Sequence, residues 1–93
     1  MNSEHKFEPG QTVSTPGALE ELTRAGVRPI EIYERHLRLE QGSLCDEDHE
    51  ENKKAIENEN RIFSAFKLST GAEIYVITEW DRSVTTILKP SEY

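Results

Sequence analysis

Residues 61–88 read Arg61-Ile62-Phe63-Ser64-Ala65-Phe66-Lys67-Leu68, then Ser69-Thr70-Gly71-Ala72, then Glu73-Ile74-Tyr75-Val76-Ile77-Thr78-Glu79-Trp80, then Asp81-Arg82-Ser83, then Val84-Thr85-Thr86-Ile87-Leu88. Three runs rich in β-branched and aromatic residues alternate with two short clusters of Ser, Thr, Gly and Asp, which predicts three strands joined by two tight turns. Strand alternation puts Ile74, Val76 and Thr78 on one face and Tyr75, Ile77 and Glu79 on the other. Both faces are more apolar than a fully solvated sheet requires, so helices are expected over one of them. Thr85, Thr86 and Ile87 suit a pleated surface on which branched side chains stack across strands.

Upstream, the pattern turns helical. Thr15 followed by Pro16 is a helix start, because the hydroxyl can accept from an orphan backbone N–H and proline at the first helical position loses no bond. Ala18, Leu19, Leu22 and Ala25 make the apolar stripe, and Gly26 stands where a left-handed terminator is wanted. Pro29 opens a second helix with Ile30, Tyr33 and Leu37 on one face, flanked by Ile32 and His36, and Gly42 ends it. The acidic stretch that follows predicts a third helix, capped by Asp46, with Glu47, Asp48, Glu50 and Glu51 near its positive end. Only Ala55 and Ile56 supply an apolar face there after Leu44, so this helix is expected to be partly solvated or to lie along the sheet edge. Helices followed by strands imply an α+β fold: two to three short N-terminal helices packed on a three-stranded antiparallel β-meander. Residues 1–11, with the Glu8-Pro9-Gly10 turn signal, read as an extended N-terminal arm, and residues 12–93 as a single α+β domain.

At 93 residues the chain buries only about 60–65% of the surface its unfolded form exposes, so the core is thin. The three Phe, three Tyr and single Trp are therefore expected to carry much of the packing. One cysteine makes no internal disulfide, which points to a reducing, cytoplasmic setting. No apolar run reaches the roughly 20 residues of a membrane-spanning helix, and the opening Met-Asn-Ser-Glu-His-Lys-Phe-Glu lacks the apolar stretch of a signal peptide.

The net charge of −7 is concentrated. Residues 40–59 contain eight acids and two bases, net −6, whereas residues 60–93 contain four of each. Such a segment repels a nucleic-acid backbone and attracts a basic protein surface.

Three stretches carry a resemblance: Phe7-Glu8-Pro9-Gly10, Thr15-Pro16-Gly17-Ala18, and the C-terminal string Ile77-Thr78-Glu79-Trp80-Asp81-Arg82-Ser83-Val84-Thr85-Thr86-Ile87-Leu88-Lys89-Pro90-Ser91-Glu92-Tyr93. The chain resembles a group of small uncharacterised bacterial proteins encoded on plasmids, phages and integrative elements. The resemblance implies an accessory role on a mobile element and carries no catalytic residues with it. Where that group has Gly-Asp-Trp, this chain has Gly42-Ser43-Leu44.

Several constellations invite chemistry. Cys45 and His49 meet at helical spacing, but a structural zinc needs four soft ligands, and the remaining histidines, His5 and His36, lie in the arm and in mid-helix. The acid run lacks the alternating pattern, central glycine and distal glutamate of a calcium loop. A Cys45–His49 nucleophile pair lacks an orienting partner and an oxyanion pocket, so Cys45 reads as a small half-buried residue. Asp81-Arg82-Ser83 reads as turn chemistry before catalysis. Arg82 beside Trp80 is a candidate recognition finger, while the competing reading makes Trp80 part of the core. No metal or cofactor is expected. Arg24, Arg28, Arg35 and Arg38 interleave with Glu20, Glu21, Glu31 and Glu34 as a solvent face laced with weak ion pairs.

The function expected from these residues is that of a small, cytoplasmic, non-enzymatic accessory protein of a bacterial mobile element. It binds a larger protein partner with a basic surface, as an acidic inhibitor or nucleic-acid-mimicking decoy, without contacting nucleic acid or membrane directly. The candidate partner-binding residues are Glu47, Asp48, Glu50, Glu51, Trp80 and Arg82. The alternative is a structural or regulatory subunit that forms a homo-oligomer through Trp80, Tyr75 and the sheet edge. A small metal-dependent hydrolase using Asp46, Asp48 and His49 ranks last.

Overall fold

The computed structural model describes residues 5–93. In chain order its elements are β1 (Gln11–Ser14), α1 (Pro16–Ala25), α2 (Pro29–Leu37), α3 (Asp46–Asn58), β2 (Ile62–Lys67), β3 (Glu73–Thr78), β4 (Val84–Leu88) and a closing 3₁₀ turn over Pro90–Glu92. The class is α+β, as the sequence predicts. The sheet is not the expected three-stranded antiparallel meander. It has four strands in the order β1-β4-β3-β2, and β1 runs parallel to β4 while the other pairs are antiparallel. With Pro9-Gly10 before it and Thr15-Pro16 after it, β1 holds four residues and a single apolar one, Val13, too few for alternation to register.

The start of α1 forms as expected. Thr15 accepts from the Ala18 N–H at 3.1 Å, and Gly26 ends the helix in the left-handed region at φ 72°. In α2 the buried stripe is Ile32, Tyr33, His36 and Leu37, and Ile30, expected beside them, is 52% exposed. At 100° per residue Ile30 stands roughly a quarter-turn from the centre of that stripe. The helix stops at Leu37, well before Gly42, because Leu39 already adopts φ 62°. Cys45, not Asp46, stands at the N-cap position of α3, without a side-chain bond to the helix, and is exposed rather than half-buried.

One face of the sheet carries the main core. Phe66, Ile74, Val76 and Ile87, with Leu68 beyond the end of β2, pack on Ala18 and Leu22 of α1 and on Ile32 and Tyr33 of α2. A second cluster joins Leu39, Ala55 and Ile62, with Phe7 and Ile56 packed against it. Met1–Glu4 of the expected arm lie outside the described residues. From His5 onward the segment is docked: the Lys6 N–H donates to the Leu37 carbonyl at 2.8 Å, the Phe7 ring meets His36 edge-on at 5.2 Å, and Gln11 already belongs to β1.

Between these clusters runs a buried polar relay. Thr85 donates to the Pro9 carbonyl at 2.7 Å, so its one hydroxyl proton is spent and Thr78 must be the donor in the 2.6 Å Thr78–Thr85 bond. Thr78 then accepts from His36 Nε2–H at 2.8 Å, which leaves His36 Nδ1 to accept from the Ser64 hydroxyl at 2.7 Å. The bonding pattern thus fixes both the tautomer and the direction of every proton. Ser64, His36, Thr78 and Thr85 are all fully buried.

The β2 edge is closed by side chain and loop, where α3 lies against it as its thin apolar face implied. Asn52 accepts from the Phe63 N–H at 3.1 Å and donates to the Phe63 carbonyl at 2.6 Å, so one amide group replaces a neighbouring strand. Ser43 N–H donates to the Ala65 carbonyl at 2.8 Å, and Gly42, at φ 58°, lies so close that a Cβ there would collide with that carbonyl and with Phe66. The Gly42-Ser43-Leu44 loop is therefore a cover for the sheet edge.

Burial depresses the His36 pKa from 6.5 to about 3. The unfolded chain binds this proton first, so stability is lost as pH falls through the window from 6.5 towards 3. The slope should be about 1.4 kcal/mol per pH unit. Chemical denaturation at stepped pH should show this decline already above the carboxylate range, and His36→Gln, though less stable, should abolish that part of the slope.

Candidate interaction surface

Six side chains were expected to meet a partner, and the fold separates them into two ends of α3. Glu47, Asp48, Glu50 and Glu51 are exposed in its first two turns. Asp46, Glu47 and Asp48 occupy the first turn, where the helix dipole favours carboxylates. Glu50 pairs with Lys53 at 3.0 Å and Glu51 with Lys54 at 3.8 Å, both on the surface, where such pairs contribute little.

Arg82 lies at the opposite end and is engaged within the molecule. Its Nη1 donates to the carbonyls of Asn60, Glu79 and Trp80, and its Nη2 to Ala55 in the last turn of α3. That helix has no basic residue in its last turn, and Glu57 and Glu59 crowd its negative end, so Arg82 supplies the missing countercharge from the β3–β4 hairpin. The residue holds φ 61° to do so. Beside it Asp81 accepts from Ser83, whose hydroxyl and N–H keep the Asp81 carboxyl below its usual range. This is the turn chemistry that the sequence predicts. Trp80, in the turn between β3 and β4, is 64% exposed, which overturns its reading as core.

The groove flanking α3 is what the sequence did not reveal. A concavity of about 410 Å³ opens between the acidic face of the helix and the outer face of the sheet. Asp48 and Glu51 line it from α3, Phe63 and Tyr75 from β2 and β3, and Asn60, Arg61 and Tyr93 complete the lining. The three rings pack edge-to-face, with centroids 4.7 Å apart for Phe63–Tyr75 and 5.9 Å for Tyr75–Tyr93. Phe63 and Tyr75 are half-buried and neighbour each other on the sheet face opposite the main core. An aromatic wall opposed to two carboxylates is suited to a cation with a flat or apolar body.

The residues weighed for catalysis do not assemble. Among the described residues no group of three or more His, Cys, Asp or Glu is placed to hold a metal ion. Asp46 accepts from Gln41 at 2.8 Å, the His49 ring bonds the Leu39 carbonyl at 2.8 Å, and Asp48 lines the groove. His36 and Ser64 have the composition of a base and a nucleophile, yet both are sealed from solvent, and the second ring nitrogen meets a threonine rather than a carboxylate. Comparison with protein-family models, with curated proteins and with solved structures finds no match. Among the described residues no helix is long and apolar enough to cross a membrane.

The two hairpin residues should separate in mutagenesis. Arg82→Ala removes a charged donor from four carbonyls, of which Ala55 and Glu79 keep a backbone partner, and should lower stability by about 2 kcal/mol. Trp80→Ser should stay within roughly 0.5 kcal/mol of the parent, as surface substitutions do. Urea denaturation of the two variants checks both values.

Proposed function

We propose that this is a non-enzymatic accessory protein of a bacterial mobile element that acts by docking onto a larger, basic protein in the cytoplasm, as an acidic inhibitor or decoy. The observation that carries the reading is the groove in which Asp48 and Glu51 oppose Phe63, Tyr75 and Tyr93. Charge alone attracts any basic surface. A concave aromatic wall next to it adds an anchor for one side chain, and a few such anchors dominate protein interfaces. The net charge of −6 across residues 40–59 supplies long-range attraction that speeds encounter. The likeness of the C-terminal string to proteins of plasmids, phages and integrative elements supports the accessory role.

Binding of this kind weakens as salt screens the charges. Capture of a basic partner from host lysate should succeed at low salt and fail at high salt. In the Asp48→Lys/Glu51→Lys double variant the affinity should fall by at least about tenfold, or 1.4 kcal/mol. Equal affinity of the double variant and the parent at low salt would refute the reading.

A second reading, self-association as a structural or regulatory subunit, is favoured by the exposed β1 edge, where Val13 is solvent-facing, together with the exposed Trp80. Unlike the first, it predicts an oligomer indifferent to salt. Sedimentation at high protein concentration should then show a dimer or larger species that a Val13→Lys substitution disperses, and a monomer throughout would remove this reading.

A further inference from the structure

We infer that the groove selects an arginine side chain from its partner and that Arg61 occupies that position in the free protein as an internal stand-in. The inference rests on the docking reading above and names the chemistry it recognises. Arg61 is exposed, and its guanidinium stands 5.8 Å from the Tyr93 ring centroid. That is near the outer limit of about 6 Å for an attraction between a cation and a ring. Neither Arg61 nor Asp48 makes an ion pair or a side-chain hydrogen bond among the described residues, although both line the same groove. Among the described residues, a cation and an anion without an ion pair thus share one concavity. The native occupant is loosely held, and the Asp48 carboxylate still lacks an ion pair.

An incoming arginine satisfies both. Its planar, weakly hydrated guanidinium stacks on an aromatic face while its fork of donors reaches a carboxylate, whereas a lysine ammonium keeps its water and has no plane to stack. Tyr93, 63% exposed, offers the accessible ring, and Asp48 and Glu51 line the same groove from α3. Arg61 therefore competes with the ligand by occupying the ring and by like-charge repulsion.

The test uses the full chain and two short uncharged-end peptides, identical except for one central arginine or lysine, titrated into the parent, Arg61→Ala and Tyr93→Ala while NMR signals of Phe63 and Tyr75 are followed. Arg61 makes no bond that the fold needs, so Arg61→Ala should melt as the parent does. The expected result is tighter binding of the arginine peptide than of the lysine peptide, by about threefold or more. A further gain of about threefold is expected in Arg61→Ala, and a loss in Tyr93→Ala. If the arginine peptide perturbs the groove but Arg61→Ala binds it no better, the stand-in is overturned and the docking reading survives. Equal binding of the two peptides overturns the preference for arginine. If neither peptide moves Phe63 or Tyr75 in any variant, the inference and the docking reading fall together.

Discussion

A single file of hydrogen bonds, from Ser64 through His36, Thr78 and Thr85 to the Pro9 carbonyl, is the constraint on which the rest of the molecule depends. It joins one helix, three strands and the N-terminal segment, and it does so inside a chain with too little apolar surface to specify its packing by volume alone. Apolar burial on one face already specifies the register of the strands, and a buried polar chain sharpens it, since each misplaced partner leaves a donor or acceptor unsatisfied at a cost of about 1–3 kcal/mol. The described residues contain no buried side-chain polar atom without a partner. The arrangement also explains why His36 must remain neutral: its two nitrogens are fully used, one accepting and one donating, and no carboxylate lies in the relay to stabilise a charge.

Much of the architecture was legible because it rests on local chemistry. Thr15-Pro16 and Gly26 bracket α1, the Asp81-Arg82-Ser83 turn folds on its own side chains, and period-two alternation marks β3. What stayed hidden depends on distant partners. β1 exists only because β4 presents a free edge to four otherwise unremarkable residues. Asn52 reads as one polar residue in a polar helix, and nothing local announces that its amide will face the Phe63 backbone. His36 left one faint signal, its position three residues after Tyr33 and one before Leu37 on the buried stripe of α2.

The candidate site was half legible for the same reason. Its acids stand out as a charge run, while its aromatic wall is assembled from Phe63, Tyr75 and Tyr93 on three separate segments. Arg82 misled through its residue type: an arginine beside a tryptophan is what an interface often uses, yet here the guanidinium completes the C-terminal end of α3. This helix is consequently held at its far end by the hairpin and along its middle by Asn52, and its acidic turns are left free to meet solvent or a partner. The same contacts that fix α3 also fix the width of the groove beside it.

The parallel pairing of β1 with β4 has a consequence for how the polypeptide acquires its shape. The hydrogen bond between Thr85 and Pro9 spans 76 positions, and among the described residues β4 is the one strand that β1 pairs with. As the chain emerges from a ribosome, the helices can form locally and β2 can meet β3, but the earliest strand must wait with its backbone unpaired until the latest one is released. Ring closure over so long a stretch is entropically slow. The pairing of β1 with β4, and with it the locking of the histidine, is thus a late step of folding.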